Sequence, residues 1–242
     1  TKIPVWIKIN SGMNRLGFKL DESEAVYQRI AVLDCVASPI RWITHFAQAG
    51  NIVSTETTKQ IQRFNQSLLG LPGERSLSNS AGVLAWPNAH ADWVRPGIMI
   101  YGASPLDHLS ASECSLKPVM NLYSKIIAII DLKKGAFVGY DHSWQCYRDS
   151  RVGLVSIGYG DGYPRHAVSG TPVLVGNKRC PLIGRISMDL IHIDLTNNYD
   201  AKVGDNVLLW GDDLPIDEVA RSASTIAYEL MTHLSDRIPR QM

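Results

Sequence analysis

Short strand-like runs alternate with helical patterns over residues 1–107, and this alternation limits the fold more than any other feature of the chain. The strand candidates are "VWIKIN" (5–10), "IRWITHFA" (40–47), "RSLSNS" (75–80) and "DWVRPGIMIYG" (92–102). Asp21 and Glu24 have the spacing of a capping box, and Val26, Ile30 and Leu33 follow at helical intervals. A second helix is expected over 54–69, with Ile61, Phe64 and Leu68 on one face and Gly70 as its stop. Such alternation predicts parallel βα units. Four of them make half of an eight-stranded barrel. A curved four-stranded parallel sheet would keep two open edges and an uncovered inner face, whereas parallel sheets are normally covered on both faces. Residues 1–107 are therefore expected to form a partial βα barrel holding its later strands only.

From residue 118 onward the pattern changes. "LYSKIIAIIDL", "RVGLVSIGYG", "TPVLVG", "CPLIGRISMDLIHIDL" and "DNVLLWG" read as strands of mixed alternation, punctuated by Gly, Pro, Asn and Asp. An all-β domain is expected over 118–242, closed by helices near 216–221 and 225–234, with the small, polar stretch 104–118 as the joint. The fold class is thus α/β plus all-β. The chain is 45% hydrophobic and 19% charged with net charge +1, a balance that points neither to a polyanion partner nor to disorder, so no nucleic acid is expected. Cys35, Cys114, Cys146 and Cys180 lie far apart without C-x-x-C spacing, which favours a reducing cytoplasmic setting over a zinc site or disulfides, and no metal is expected. Apolar runs such as "IIAII" fall well short of the ~20 residues of a membrane span, and no membrane partner is expected.

Polar residues recur where the strand patterns end: Arg15, His45, Asn79 with Ser80, and Arg95. In a βα barrel these ends converge on one mouth, so residues distant in sequence meet there. Ser80 and the Pro96-Gly97-Ile98 turn fit either a phosphate site built from free amides or an ordinary turn with an N-cap serine. In the β domain, "VGYDHSW" (138–144), "IGYGDGYPR" (157–165) and "GRISMDL" (184–190) are dense in turn formers around Tyr140, Tyr159 and Met188. Read alone, Tyr159 is as compatible with packing over its turn as with chemistry, Tyr140 beside Asp141 reads as a turn, and Met188 reads as core.

Taken together, "KINSGMNRLGF", "THFA", "SNSAG", "VRPGIMIYG", "VGYDHSW", "IGYGDGYPR", "GRISMDL" and "AYEL" stand in the order and approximate spacing of the bacterial alanine racemases, and the chain resembles that family along its whole length. The resemblance implies the C-terminal half of a pyridoxal-phosphate-binding (β/α)8 TIM-type barrel followed by a C-terminal β domain. It implies racemisation of L- and D-alanine through an aldimine of pyridoxal 5'-phosphate (PLP) by a two-base mechanism, supplying D-alanine for peptidoglycan. A homodimer with active sites shared across the interface is implied as well.

Residue by residue, Arg95 resembles the arginine that faces the PLP pyridine nitrogen and weakens the electron sink. Ser80, Gly97, Ile98 and Tyr228 resemble the phosphate cradle, Arg15 and the Met188 backbone the contacts to the substrate carboxylate, and Tyr159 and Arg165 the entry path. Tyr140 resembles one catalytic base, with His45 assisting its ionisation. Forming tyrosinate near neutral pH otherwise costs about 4 kcal/mol.

The Schiff-base lysine of the family lies in a segment like "VVKANAYGHG", which does not occur here. The stretch is expected to begin near the fifth barrel strand, to lack the N-terminal half barrel, and to be inactive alone. Two other readings stay open: a non-catalytic PLP-binding or dimerisation fragment, and a racemase for another amino acid such as serine. Lys8 resembles a lysine that can be carbamylated, and its other reading is a packed stem with an ammonium paired to a carboxylate. Three departures stand out. Asp141 replaces a common glycine and puts a negative charge beside Tyr140, Gly50 and Asn51 stand where an acid is common, and Asn10-Ser11 replace Asp-Thr.

Overall fold

The computed structural model describes residues 1–241. The chain forms two compact units, one of Thr1–Ile100 with Ser104–Cys114 and one of Tyr101–Ala103 with Ser115–Met242. It passes between them after Ile100, Ala103 and Cys114.

In the first unit, β1 (Ile3–Lys8), β2 (Val36–Ile43) and β3 (Arg75–Ser76) form a parallel sheet in that order. The helices α1 (Ser23–Ala31) and α2 (Glu56–Ser67) connect its strands, and α3 (Ser80–Ala85) follows β3. Strand alternation divides β1 and β2 between two faces. Ile7, Ile9, Ile40 and Trp42 join Val26, Ile61, Phe64, Leu68 and Leu77 in one buried core, so the helical spacing of 61, 64 and 68 does face the sheet. On the other face, Trp6 and Trp93 meet edge to face at 6.0 Å, and the Arg41 guanidinium lies 5.6 Å and 5.4 Å from their ring centres. Glu74 accepts hydrogen bonds from Arg41 Nε and Trp93 Nε1, which sets the arginine between the rings. Trp6 and Trp93 remain 38% and 46% exposed, so this face is a polar and aromatic ladder rather than a second core.

Three local expectations are revised. The run 75–80 is strand only at Arg75–Ser76, because Asn79 accepts from the Gly82 amide at 3.0 Å and caps α3. The run 92–102 pairs with the sheet only through a single bridge from Trp93 to Ser76, and then turns into a 3-10 helix at Ile98–Tyr101. Pro96 has no N–H to continue a ladder. The entry to α1 is a 3-10 turn in which Lys19 N–H donates to Glu22 Oε2 at 2.7 Å, replacing the Asp21–Glu24 box.

The second unit is built on a closed antiparallel barrel. Its strands are β4 (Leu122–Leu132), β7 (Ser150–Val155), β8 (Pro172–Val175), β9 (Lys178–Ile183), β10 (Ile191–Asp194) and β11 (Asn206–Trp210), in the order β10-β7-β4-β11-β8-β9. The paired strands β5 (Phe137–Val138) and β6 (Trp144–Gln145) lie between β4 and β7 in sequence, and α4 (Ile216–Ser222) and α5 (Ala227–His233) follow β11. Ile126, Val155, Leu182, Ile191, Ile193 and Leu209 are buried, and Tyr163 stacks on Trp210 at 6.0 Å. Closure removes the free edges that an open sheet presents.

Truncating Phe64, fully buried between α2 and the sheet, leaves a cavity where the core cannot collapse. Phe64→Ala is expected to cost the parallel unit about 3–5 kcal/mol of stability, measured by chemical denaturation.

Candidate active-site residues

In the first unit the chemistry-bearing residues sit where the strands end. Lys8 closes β1, His45 follows β2 by two residues, and Arg95 follows the Trp93 bridge by two. Lys8, Arg15 and His45 line one cleft together with Asn10, Met13 and Thr44. Arg95 is held by neutral oxygens: Nη1 donates to Ser76 Oγ at 2.5 Å, and Nη2 donates to the carbonyls of Thr44 at 2.7 Å and Leu77 at 3.3 Å. None of the ion pairs among the described residues involves Lys8, Arg15 or Arg95.

The electrostatic consequences are directional. Burial, and then the charges of Arg95, Arg15 and Lys8, hold the His45 imidazole below its ordinary pKa. Burial, and then Arg15 and Arg95, lower the Lys8 ammonium in the same way. His45 is therefore biased to the neutral form beside three cationic groups.

The cleft's backbone is fixed by a buried polar network. Ser11 Oγ and Thr44 Oγ1 are 2.8 Å apart, and Thr44 Oγ1 donates to the Ile9 carbonyl at 2.8 Å. Gln60 on α2 donates to Ser11 Oγ and to the His45 carbonyl, and accepts from the Ala47 amide. Gln60 is fully buried, and the reading of α2 from its apolar residues passed over it. The available signal was its place in the 57, 60, 61, 64 repeat of buried positions. Asn10 gains a reason too. Its Oδ1 accepts from the Asn14 amide at 2.9 Å while its Nδ2 donates to Asn14 Oδ1 at 2.9 Å, a donor role closed to an ionised aspartate. Beside Gly50, Asp107 N–H donates to the Gly50 carbonyl at 3.1 Å.

Ser80 opens α3, and its Oγ accepts from the Gly97 amide at 2.7 Å and the Met99 amide at 3.4 Å. The Gly97 amide is thus engaged within the protein, while a Cβ at Gly97 would meet only Ser80 Oγ, at 3.8 Å. Ile98 is buried at the start of the 3-10 turn that follows.

In the second unit Tyr140 lies on the turn between β5 and β6 and is 66% exposed. Asp141 and His142 both adopt left-handed backbone, at φ 57° and 49°. Glycine takes that conformation without strain, and aspartate is one of the few other residues that visit it. The Asp141 carboxylate lies 3.2 Å from Arg185 Nη1, so the charge expected to bear on Tyr140 is largely offset. This partner belongs to a loop after β9, more than forty residues away, and no local pattern points to it. Met188, on the same loop, accepts from the Gly160 amide at 2.8 Å through its carbonyl. The Arg165 guanidinium lies 6.0 Å from the Tyr159 ring centre, and both line a cavity of about 400 Å³ with Tyr163, His166, Glu229 and His233. Tyr228 stands in the first turn of α5 and is 46% exposed. Among the described residues, no three His, Cys, Asp or Glu side chains are grouped to hold a metal, and no helix is long and apolar enough to cross a membrane.

A parallel βα unit with Lys8, Arg15, His45 and Arg95 near its strand ends, in one chain with a closed antiparallel barrel, defines a two-unit α/β plus β-barrel protein. Known proteins make the class specific. Residues 1–105 match the family model "Alanine racemase, N-terminal domain", and residues 119–242 match "Alanine racemase, C-terminal domain". The chain belongs to the alanine racemase family. It is 50% identical over 236 residues to an alanine racemase of Shewanella amazonensis, covering 98% of this chain and 65% of that protein. The structure of the biosynthetic alanine racemase of Pseudomonas aeruginosa superposes with a TM-score of 0.97 at 46% identity, over 99% of this chain and 67% of that one. A Bartonella henselae alanine racemase described with covalently bound pyridoxal phosphate superposes at 0.86 with 31% identity, over 99% of this chain and 66% of that one. The chain thus spans about two thirds of the length of these relatives.

The lowered pKa of His45 has a consequence for stability. Below about 6.5 an unfolded histidine takes up a proton that the folded site resists, so protonation favours unfolding. This contribution is intact above the unfolded pKa and is lost as pH falls toward the folded value. His192, lowered by burial, acts in the same direction. Stability is expected to fall with acidification through this range, and His45→Gln should flatten the slope in denaturation midpoints taken across it.

Proposed function

We propose that the chain is the larger part of a PLP-dependent alanine racemase. The observation that carries the reading is the group of Lys8, Arg15 and Arg95 around a neutral-biased His45, none of which has an acidic partner among the described ion pairs. Positive charge gathered in this way favours anionic groups, and the phosphate of PLP and the carboxylate of alanine are anions. The residues fit the cofactor in a second respect, since the Gly97 backbone carries no side chain and lies against Ser80, whose Oγ is the nearest atom a Cβ there would meet, at 3.8 Å.

In this reading Arg95 would hold the pyridine nitrogen, and Ser80, Gly97, Ile98 and Tyr228 would hold the phosphate. The chemistry supplied by bound PLP is delocalisation of the negative charge left on the substrate Cα. Arg15 and the Met188 backbone orient the alanine carboxylate, and Tyr159 and Arg165 border the route of entry. Racemisation needs a base on each face of Cα, one removing the proton and the conjugate acid of the other returning one. Tyr140 Oη serves one face, reaching a second copy of the chain in a homodimer. A lysine in the third of the relatives' length outside the match serves the other. His45, biased to the neutral form by its surroundings, can offer a ring nitrogen as an acceptor without adding positive charge. The product D-alanine feeds peptidoglycan in the cytoplasm, where the four free cysteines stay reduced.

Lys8 adds a chemical detail. With its pKa lowered and no carboxylate paired to it, its amine is set to add to carbon dioxide, forming an N–C bond and releasing a proton. The resulting carbamate would give Arg15 an anionic neighbour.

With PLP added, these 242 residues alone are expected to racemise alanine negligibly, and the chain supplied with the relatives' remaining third is expected to racemise it in both directions. Tyr140→Phe should then lower kcat by roughly 100-fold or more. Faster turnover of serine than of alanine would replace the substrate assignment. Isotope-labelled bicarbonate is expected to give an NMR carbamate signal that Lys8→Ala abolishes; a signal unchanged in the variant would place it elsewhere.

A further inference from the structure

The loops 158–163 and 184–190 of the second unit bring Tyr159 and Met188 side by side. Tyr159 N–H donates to the Ser187 carbonyl at 3.1 Å, and Gly160 N–H donates to the Met188 carbonyl at 2.8 Å. Contact this close requires glycine: a Cβ at Gly158 would lie 2.3 Å from the Met188 carbonyl oxygen.

Besides these backbone bonds, a side chain from outside both loops bridges them. Arg237, beyond the end of α5, donates from Nη2 to Asp189 Oδ1 at 2.6 Å, and its Nε lies 3.4 Å from Asp161 Oδ1. Asp161 is itself fixed, since its Oδ2 accepts from the Gly158 amide at 3.0 Å and its carbonyl accepts from the Ser235 amide at 3.0 Å. The guanidinium passes over Gly160, where a Cβ would stand 2.6 Å from Arg237 Nη1. Arg237 therefore closes a frame whose members are Asp161, Asp189 and the two glycine-borne peptides.

We infer that Arg237 is a positioning residue for substrate binding. It sets the Met188 peptide through Asp189 and the Tyr159 loop through Asp161. Two features separate this role from its alternatives. Arg237 is half exposed, and ion pairs at exposed sites contribute little to stability, so its effect falls on loop geometry rather than on folding. Its charge is matched by two carboxylates, so it offers no surplus attraction to a substrate carboxylate and does not act as a direct ligand.

The consequence for turnover rests on the reading of Met188 as a carboxylate contact, whereas the frame itself does not. Two measurements on the protein carrying the relatives' remaining third test both parts. In Arg237→Met, hydrogen exchange of the Tyr159 and Gly160 amides is expected to speed up about tenfold while barrel-strand amides stay protected. The KM for alanine is expected to rise on the order of tenfold with kcat within about twofold, and Arg237→Lys should recover part of the loss. Unchanged loop exchange overturns the proposal, as does faster exchange with an unchanged KM. If the unsubstituted protein does not racemise alanine, the functional reading fails, and the exchange measurement still decides whether Arg237 holds the two loops.

Discussion

Four nitrogen-bearing side chains, Lys8, Arg15, His45 and Arg95, act on one another in the parallel unit, and no carboxylate among the described ion pairs relieves them. Like charges in a partly desolvated cleft repel, so the scaffold has to hold them against their own field. It does so with neutral oxygens. Arg95 spends its donors on Ser76, which pairs with Ile43 in the sheet, and on Thr44 and Leu77, which directly follow β2 and β3. Thr44 is tied in turn to Ile9 and Ser11, and Gln60 joins Ser11 to the backbone of His45 and Ala47. The helices of this unit thus do more than cover a face. One of them delivers the amide that locks the strand ends where the charge is gathered.

The second unit solves a different problem. Its chemistry-bearing residues lie on turns between strands, which a closed barrel leaves free to vary while holding their bases. The turn of Tyr140 is tied by Asp141 to Arg185, and the loop of Arg185 also carries Met188 and Asp189. One short loop is therefore anchored at two points by oppositely arranged charge pairs, an acid from elsewhere at one end and an arginine from elsewhere at the other. Exposed residues can keep a fixed geometry in this way without being buried.

Much of the parallel unit was legible because its signals are local. The run 5–10 was legible as a strand, and helical spacing set Ile61, Phe64 and Leu68 on the one face that the core buries. The errors came where one side chain outweighs a pattern: Asn79 captures an amide and starts a helix, and Pro96 ends a ladder. The β region was legible as strands but not as a barrel, because the order β10-β7-β4-β11-β8-β9 depends on pairings between distant segments. The candidate site followed the same rule. Arg15, His45 and Arg95 announced themselves at strand ends, whereas Gln60 and Arg185 became visible only through partners far away in the sequence.

The barrel's strand order also governs when it can form. β4 pairs with β7 on one side and with β11 on the other, and β11 is the last strand of the chain. During synthesis from the N-terminus, β4 and β7 can meet early. The gap between β4 and β8 stays open until residues 206–210 emerge. Contacts of such long sequence separation slow folding and leave strand edges exposed in the interval. The closed barrel, edge-free once complete, therefore passes through a nascent form with two open strand edges.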